Sequence, residues 1–115
     1  IPLITDKNVV FIDTRSKKEV KISSIPGSIS LKDFKRNKSE YKNKQIIAFC
    51  TIGFRSGKFA EKYQKQGFHI MNLKTGLLGW VHSEGPITNQ MAPTRKLHVY
   101  SKKWNLVPES YTAVW

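Results

Sequence analysis

One cysteine, Cys50, closes the apolar run Ile46-Ile47-Ala48-Phe49 and precedes Thr51-Ile52-Gly53-Phe54-Arg55-Ser56. The run is short, continuous and largely β-branched, which predicts a buried strand. From Ser56 to Gln66, Phe59, Ala60 and Tyr63 recur at helical spacing, with Lys58, Glu61, Lys62 and Lys65 outside them and Gly67 as a stop. Cys50 therefore falls between a strand and a helix, where open α/β sheets place their ligands. A loop entering a helix can turn successive N–H groups toward one point and hold an anion there. Gly53 permits the positive φ that such a turn needs, and Arg55 adds a permanent positive charge. These surroundings favour the thiolate, the reactive form of the side chain. The competing reading is an inert buried thiol; the flanking Gly53 and Arg55 weigh against it. A single cysteine excludes an internal disulfide, a CxxC redox pair and a multi-cysteine zinc site. His69, His82 and His98 are too scattered to suggest metal ligation, so structural or surface roles, no metal and no cofactor are expected.

Other elements must carry this loop. Val9-Val10-Phe11-Ile12 and His69-Ile70-Met71-Asn72-Leu73 are further strand candidates. Buried strands of this type belong to a parallel sheet covered on both faces. Residues 46–73 then form a strand–helix–strand crossover of the usual right hand. A short helix is predicted within 14–24, a turn at Pro26-Gly27 and a short strand over Ser28 to Leu31. Gly76, Gly79, Gly85 and Pro86 predict broken structure after the third strand, with Trp80 in the core. Asp13 and Arg15 suit a structural pair at the end of the first strand. Lys58, in the first turn of the helix, is an attractor of anions or simply exposed. From Met91 the texture changes. Leu97, His98, Val99 and Tyr100 could form a strand, and Trp104, Leu106, Val107, Tyr111, Val114 and Trp115 are too apolar for a free tail. The expectation is an α/β domain over residues 1–90, its mainly parallel central sheet flanked by helices on both faces, with a C-terminal extension over 91–115 packed on it.

Composition narrows the function. The chain has 115 residues, 39% hydrophobic, enough for one core and too apolar for disorder. No apolar run approaches the ~20 residues of a membrane-spanning helix. The net charge is +12, which by itself points to a polyanion. Yet 16 of the 20 basic residues are Lys and 4 are Arg, whereas Arg is the residue suited to bidentate phosphate contacts. The dense stretch Lys32 to Lys44 is expected to be a solvated surface. Basic and aromatic residues do not alternate along the chain outside the tail, so nucleic acid is expected to be an unlikely partner. The chain begins Ile1-Pro2, and residues 1–10 have no signal-type pattern; a removed leader or a fragment boundary explains that start, and a cytoplasmic setting is the expectation.

Several short motifs, in order, resemble the rhodanese-like domain family. Val10-Phe11-Ile12-Asp13-Thr14-Arg15 with Glu19 is similar to its first strand and Asp-x-Arg-x-x-x-Glu element. Ser24-Ile25-Pro26-Gly27-Ser28-Ile29 resembles its His-Ile-Pro-Gly-Ala-Ile turn, with Ser24 in place of His. Cys50 to Arg55 resembles its active-site loop. Gln66-Gly67-Phe68 and Leu73-Lys74-Thr75-Gly76-Leu77-Leu78-Gly79-Trp80 resemble its closing motifs, with Thr75 replacing a Gly. The resemblance covers about residues 5–86. Four residues separate Cys50 from Arg55, one fewer than in the Cys-x5-Arg loop of cysteine phosphatases. The resemblance thus implies a sulfurtransferase. Cys50 would cycle between thiolate and persulfide, Thr51, Ile52, Gly53, Phe54, Arg55 and Ser56 would line the substrate site, a small anionic donor such as thiosulfate would supply sulfur, and cyanide or a thiol would accept it. A non-catalytic interaction module on the same fold is the alternative, kept open by the apolar Ile52 and Phe54.

Overall fold

The computed structural model describes residues 8–89, 92–99 and 105–115. Four parallel strands form the central sheet in the order β2-β1-β3-β4: β1 is Val9–Asp13, β2 Ile29–Ser30, β3 Gln45–Phe49 and β4 Ile70–Asn72. The central pair, β1 and β3, runs in register from Val9 opposite Gln45 to Asp13 opposite Phe49. Alternate residues of these strands feed opposite faces. On one face Ile12, Ile46, Ala48 and Ile70 meet Phe34 of helix α2 (Leu31–Arg36) and Ala60 and Tyr63 of helix α4 (Phe54–Gln64). On the other, Phe11 and Phe49 meet Leu77, Trp80 and Val81 of helix α5 (Gly76–His82), together with Leu97 and Val99. Helices thus cover both faces of a mainly parallel sheet, as the apolar strand pattern requires.

Helix α1 (Lys17–Ile22) opens with a capping box. The Ser16 hydroxyl accepts from the Glu19 N–H, while the Ser16 N–H donates to the Glu19 carboxylate. The lysine-rich stretch is largely exposed, as expected, and it is helical. It folds as α2 and α3 (Lys38–Tyr41), with the Ser30 hydroxyl capping α2 at Asp33; Phe34 is the apolar anchor that pays for ordering so many charges. The glycine-rich stretch after β4 also differs from its expected broken course, because Gly76 to His82 form α5. Its glycines mark tight contacts rather than breaks. A Cβ on Gly79 would collide with the Thr75 side chain, and one on Gly85 with the Trp80 ring.

Beyond the main sheet, β5 (Lys96–His98) pairs in parallel with β6 (Thr112–Val114). Leu97 and Val99 are fully buried against the α5 face of the main sheet. Val107, Tyr111 and Ala113 pack around the same cluster, whereas Leu106 and Trp115 are exposed. Met91, Tyr100 and Trp104 lie outside the described residues. Among the described residues, no helix is long and apolar enough to cross a membrane.

The joint between α5 and β3 leaves no room for a side chain. Gly76 has φ +59°, and a Cβ there would press on the carbonyls of both Cys50 and Thr51. Gly76→Ala is expected to cost on the order of 1–3 kcal/mol, from strain and the displaced carbonyls, as a lowered urea midpoint. Gly27 has a similar φ but open space around it, so Gly27→Ala should cost less.

Candidate active site

Three segments meet at the C-terminal edge of the sheet: the end of β1, the loop after β3 and the loop after β4. Asp13 and Arg15 form a buried ion pair there, with the guanidinium donating to both carboxylate oxygens at 2.9 and 2.7 Å and to the Ser23 carbonyl at 2.6 Å. The Ser24 hydroxyl donates to Asp13 at 2.6 Å and lies 2.9 Å from Ser28 Oγ. Ser24 therefore ties the Pro26-Gly27 turn to β1. This network is scaffolding that fixes the edge on which the cysteine loop rests.

Cys50 is buried, and residues 50–56 fold around its sulfur. Gly53, at φ +97°, donates its N–H to Cys50 Sγ at 3.0 Å and starts α4. A Cβ on Gly53 would collide with the Lys74 carbonyl, so glycine is required here by both torsion and space. The Ser56 hydroxyl lies 3.4 Å from Sγ and 2.5 Å from Asn72 Oδ1; its one proton is shared between those two acceptors. The Asn72 amide donates in turn to the Gly53 carbonyl at 3.0 Å, clamping the loop to β4. Burial pushes the Cys50 thiol up, but the Ser56 hydroxyl and the N–H groups of Ser56, Gly53 and Ile52 outweigh it and hold the thiol below its ordinary range.

Arg55 faces away from that cradle. Its guanidinium forks onto Glu19 at 2.9 and 2.8 Å. Burial raises the Glu19 carboxyl, yet Arg55 and then Ser16 overcome it and bring the pKa down to about 2. The groups that chiefly stabilise the thiolate are thus Ser56 and backbone amides, while the charge of Arg55 is met by Glu19. Thr51 is buried with its hydroxyl 3.5 Å from Glu19. Ile52 is half-buried against the α5 face. Phe54 is 65% exposed at the rim, with Lys58 Nζ 4.6 Å from its ring centroid. The loop residues Thr51 to Ser56 are therefore brought together, but Phe54 and Arg55 turn outward while Gly53 and Ser56 turn to the sulfur. Sequence reasoning gave no role to Glu19 or Asn72. The signal for Glu19 was present in Ser16-x-x-Glu19; that for Asn72 was a lone amide in an apolar strand. The histidines lie apart: His69 is exposed, His82 bonds the Leu106 carbonyl at 2.6 Å, and His98 is buried on β5.

A family model described as the rhodanese-like domain matches residues 2–83. The chain is 34% identical over 90 residues to a tRNA uridine(34) hydroxylase of Buchnera aphidicola subsp. Schizaphis graminum, covering 70% of this chain and 29% of that protein. It is 36% identical over 97 residues to a tRNA uridine(34) hydroxylase of Ruegeria pomeroyi, covering 76% of this chain and 32% of the relative. The chain thus spans about a third of the length of these curated relatives. Among solved structures, a rhodanese-related protein from Thermoplasma volcanium superposes with a TM-score of 0.62 at 25% identity, over 71% of this chain and 85% of the other.

These relatives overturn the expectation that nucleic acid is an unlikely partner, since their names state a tRNA substrate. The premise behind that expectation also fails in three dimensions. Basic and aromatic residues that are separated along the chain interleave in space: Lys38 and Lys62 both sit over the Tyr63 ring, Lys42 over Phe68 and Lys58 over Phe54. The parallel sheet, the order of motifs along it and the seven-residue loop around Cys50 agree with the family match, and the chain belongs to the rhodanese-like domain family.

Proposed function

We propose that this chain is the thiol-bearing rhodanese-like part of an enzyme that modifies tRNA at uridine 34, with Cys50 as its nucleophile. The similarity to curated tRNA uridine(34) hydroxylases carries this reading. The cradle supports the role of Cys50: a thiolate held by Gly53, Ser56 and the Ile52 amide needs no general base. In this reading Gly53 and Ser56 hold the sulfur, Asn72 holds Gly53, and Glu19 fixes Arg55 at the outer side of the loop. Thr51 and Ile52 support the loop from beneath, and Phe54 forms its rim. Residues 1–90 are the rhodanese-like unit and 91–115 an extension that completes its core.

A second, finer reading is a sulfur relay, favoured by a loop one residue shorter than Cys-x5-Arg whose amides converge on Cys50 Sγ. Cys50 Sγ would attack the outer sulfur of a donor such as thiosulfate, the donor S–S bond would break, and sulfite would leave with the electron pair. The persulfide would then pass its outer sulfur to a thiol or to cyanide, returning the Cys50 thiolate.

Three measurements test these assignments. The lowered pKa means that Cys50 carries more thiolate at neutral pH than a free cysteine, so the alkylation rate should reach half-maximum below the ~8.5 of a free thiol. Ser56→Ala should move that midpoint upward. Bacteria whose uridine-34 hydroxylase has its rhodanese-like part replaced by this chain should keep hydroxylated uridine in tRNA hydrolysates, and should lose it with Cys50→Ser; no product with the unaltered chain in that place refutes the tRNA reading. Intact-mass measurement after thiosulfate treatment should show one added sulfur on Cys50, removed by cyanide, if the relay operates; an unchanged mass dismisses it.

A further inference from the structure

The rim of the Cys50 loop continues into a basic face. Phe54 opens α4 with its ring exposed, and Lys58 lies over that ring, one turn on. Lys62 follows at the next turn, placing Lys58 and Lys62 on the same side of the helix. Lys62 shares the Tyr63 ring with Lys38 of α3, at 5.4 and 5.9 Å from its centroid. Lys42 comes next, 4.3 Å from the centroid of the Phe68 ring and donating to the Gln66 carbonyl at 2.6 Å. Lys58 and Lys62 thus run along α4 from the Cys50 loop, and the Tyr63 and Phe68 contacts set Lys38 and Lys42 beside its C-terminal end.

Among the described residues the lysines have no neutralising partners: none of Lys38, Lys42, Lys58 and Lys62 lies within ion-pair distance of a carboxylate, and Glu61 pairs with Lys65 instead. Cations gathered around one helix without counter-charges are unfavourable for the free protein and become favourable once an anionic chain lies along them. An exposed phenylalanine at the head of α4 adds a second requirement, a flat apolar group. A single-stranded nucleic acid supplies both, as phosphates at intervals and a base able to stack. An acidic peptide supplies only the charge.

We propose that the α3–α4 face is an RNA-docking surface, on which Phe54 stacks a nucleobase beside the Cys50 loop while Lys58, Lys62, Lys38 and Lys42 carry the adjoining phosphates. The proposal rests on the tRNA reading above and specifies where the RNA lies. Phe54 acts as a positioning residue, setting how an unpaired base approaches the thiolate. Basic residues elsewhere, such as Lys17, Lys21 and Lys96, serve only the general field.

The test is equilibrium binding of the chain to a tRNA carrying uridine at position 34, by fluorescence anisotropy over a range of salt. Phe54→Ala should weaken binding roughly tenfold at every salt concentration and leave the salt slope unchanged, since stacking on an aromatic side chain involves no counterion. Phe54→Trp should restore affinity. The quadruple variant K38Q/K42Q/K58Q/K62Q should flatten the plot of log affinity against log salt by about 3, at ~0.7 per phosphate neutralised. These side chains are at the surface, so thermal midpoints should stay close to that of the unaltered chain, which separates lost binding from lost folding. If the unaltered chain binds tRNA and both variants match it, the docking surface is refuted while the tRNA reading stands. If the unaltered chain does not bind tRNA, both fall. Binding to polyglutamate as tight as to tRNA, and indifferent to Phe54→Ala, would mark a generic cation patch and also overturn the proposal.

Discussion

A loop that aims its amides at one sulfur must aim its carbonyls elsewhere, and the architecture around Cys50 answers that constraint. The Cys50 and Thr51 carbonyls accept from the Leu77 and Leu78 N–H groups at 2.8 and 3.1 Å. The Gly53 carbonyl accepts from the Gly57 N–H at 3.0 Å and from Asn72. Each buried carbonyl left without a donor would cost about 1–3 kcal/mol. Helix α5 therefore does more than cover a sheet face: its first turn supplies two of the donors that let the loop face inward. Gly76 is the hinge of that arrangement, since a side chain there would separate the donors from the carbonyls.

Charge is organised around the same edge in two tiers. Beneath the loop, Asp13 and Arg15 are fully enclosed and lock β1 to the Ser23–Ser24 segment. Beside it, Glu19 is enclosed but its partner Arg55 is partly open, with 37% of the side chain exposed. The first pair is closed to solvent and to ligands; the second presents a guanidinium already oriented by a bidentate carboxylate. Three of these four charged residues come from the short stretch Asp13 to Glu19, so one strand end and one capped turn frame most of this edge.

The parallel strands and α4 were legible because burial on both faces leaves continuous apolar runs and because a two-faced helix repeats at 3.6 residues. The helical lysine stretch was harder. Phe34 is its one fully buried side chain, and a single anchor gives no periodicity; Ser30-x-x-Asp33 was the available cap signal. Helix α5 was hidden for the opposite reason, since Gly76, Leu77, Leu78, Trp80 and Val81 are all buried and its glycines mimic a break. At the site, Cys50 and Gly53 could be read locally. The fork between Arg55 and Glu19 spans 36 positions, and the lysines over Tyr63 come from two helices, so neither is written in any local pattern.

The pairing of β5 with β6 has a bearing on how the chain is made. The α5 face of the sheet, seeded by Phe11 and Phe49, is closed by Leu97 and Val99, and Val99 donates its N–H to the Val114 carbonyl at 2.7 Å. During translation, roughly 50 residues separate Phe49 from Val99, a delay of about 3–10 s at the usual ~5–20 residues per second. For that interval the nascent domain carries an open apolar face beside an assembled crossover. The C-terminal strands thus act as a late seal, and the growing chain has a window in which a chaperone finds its hydrophobic side uncovered.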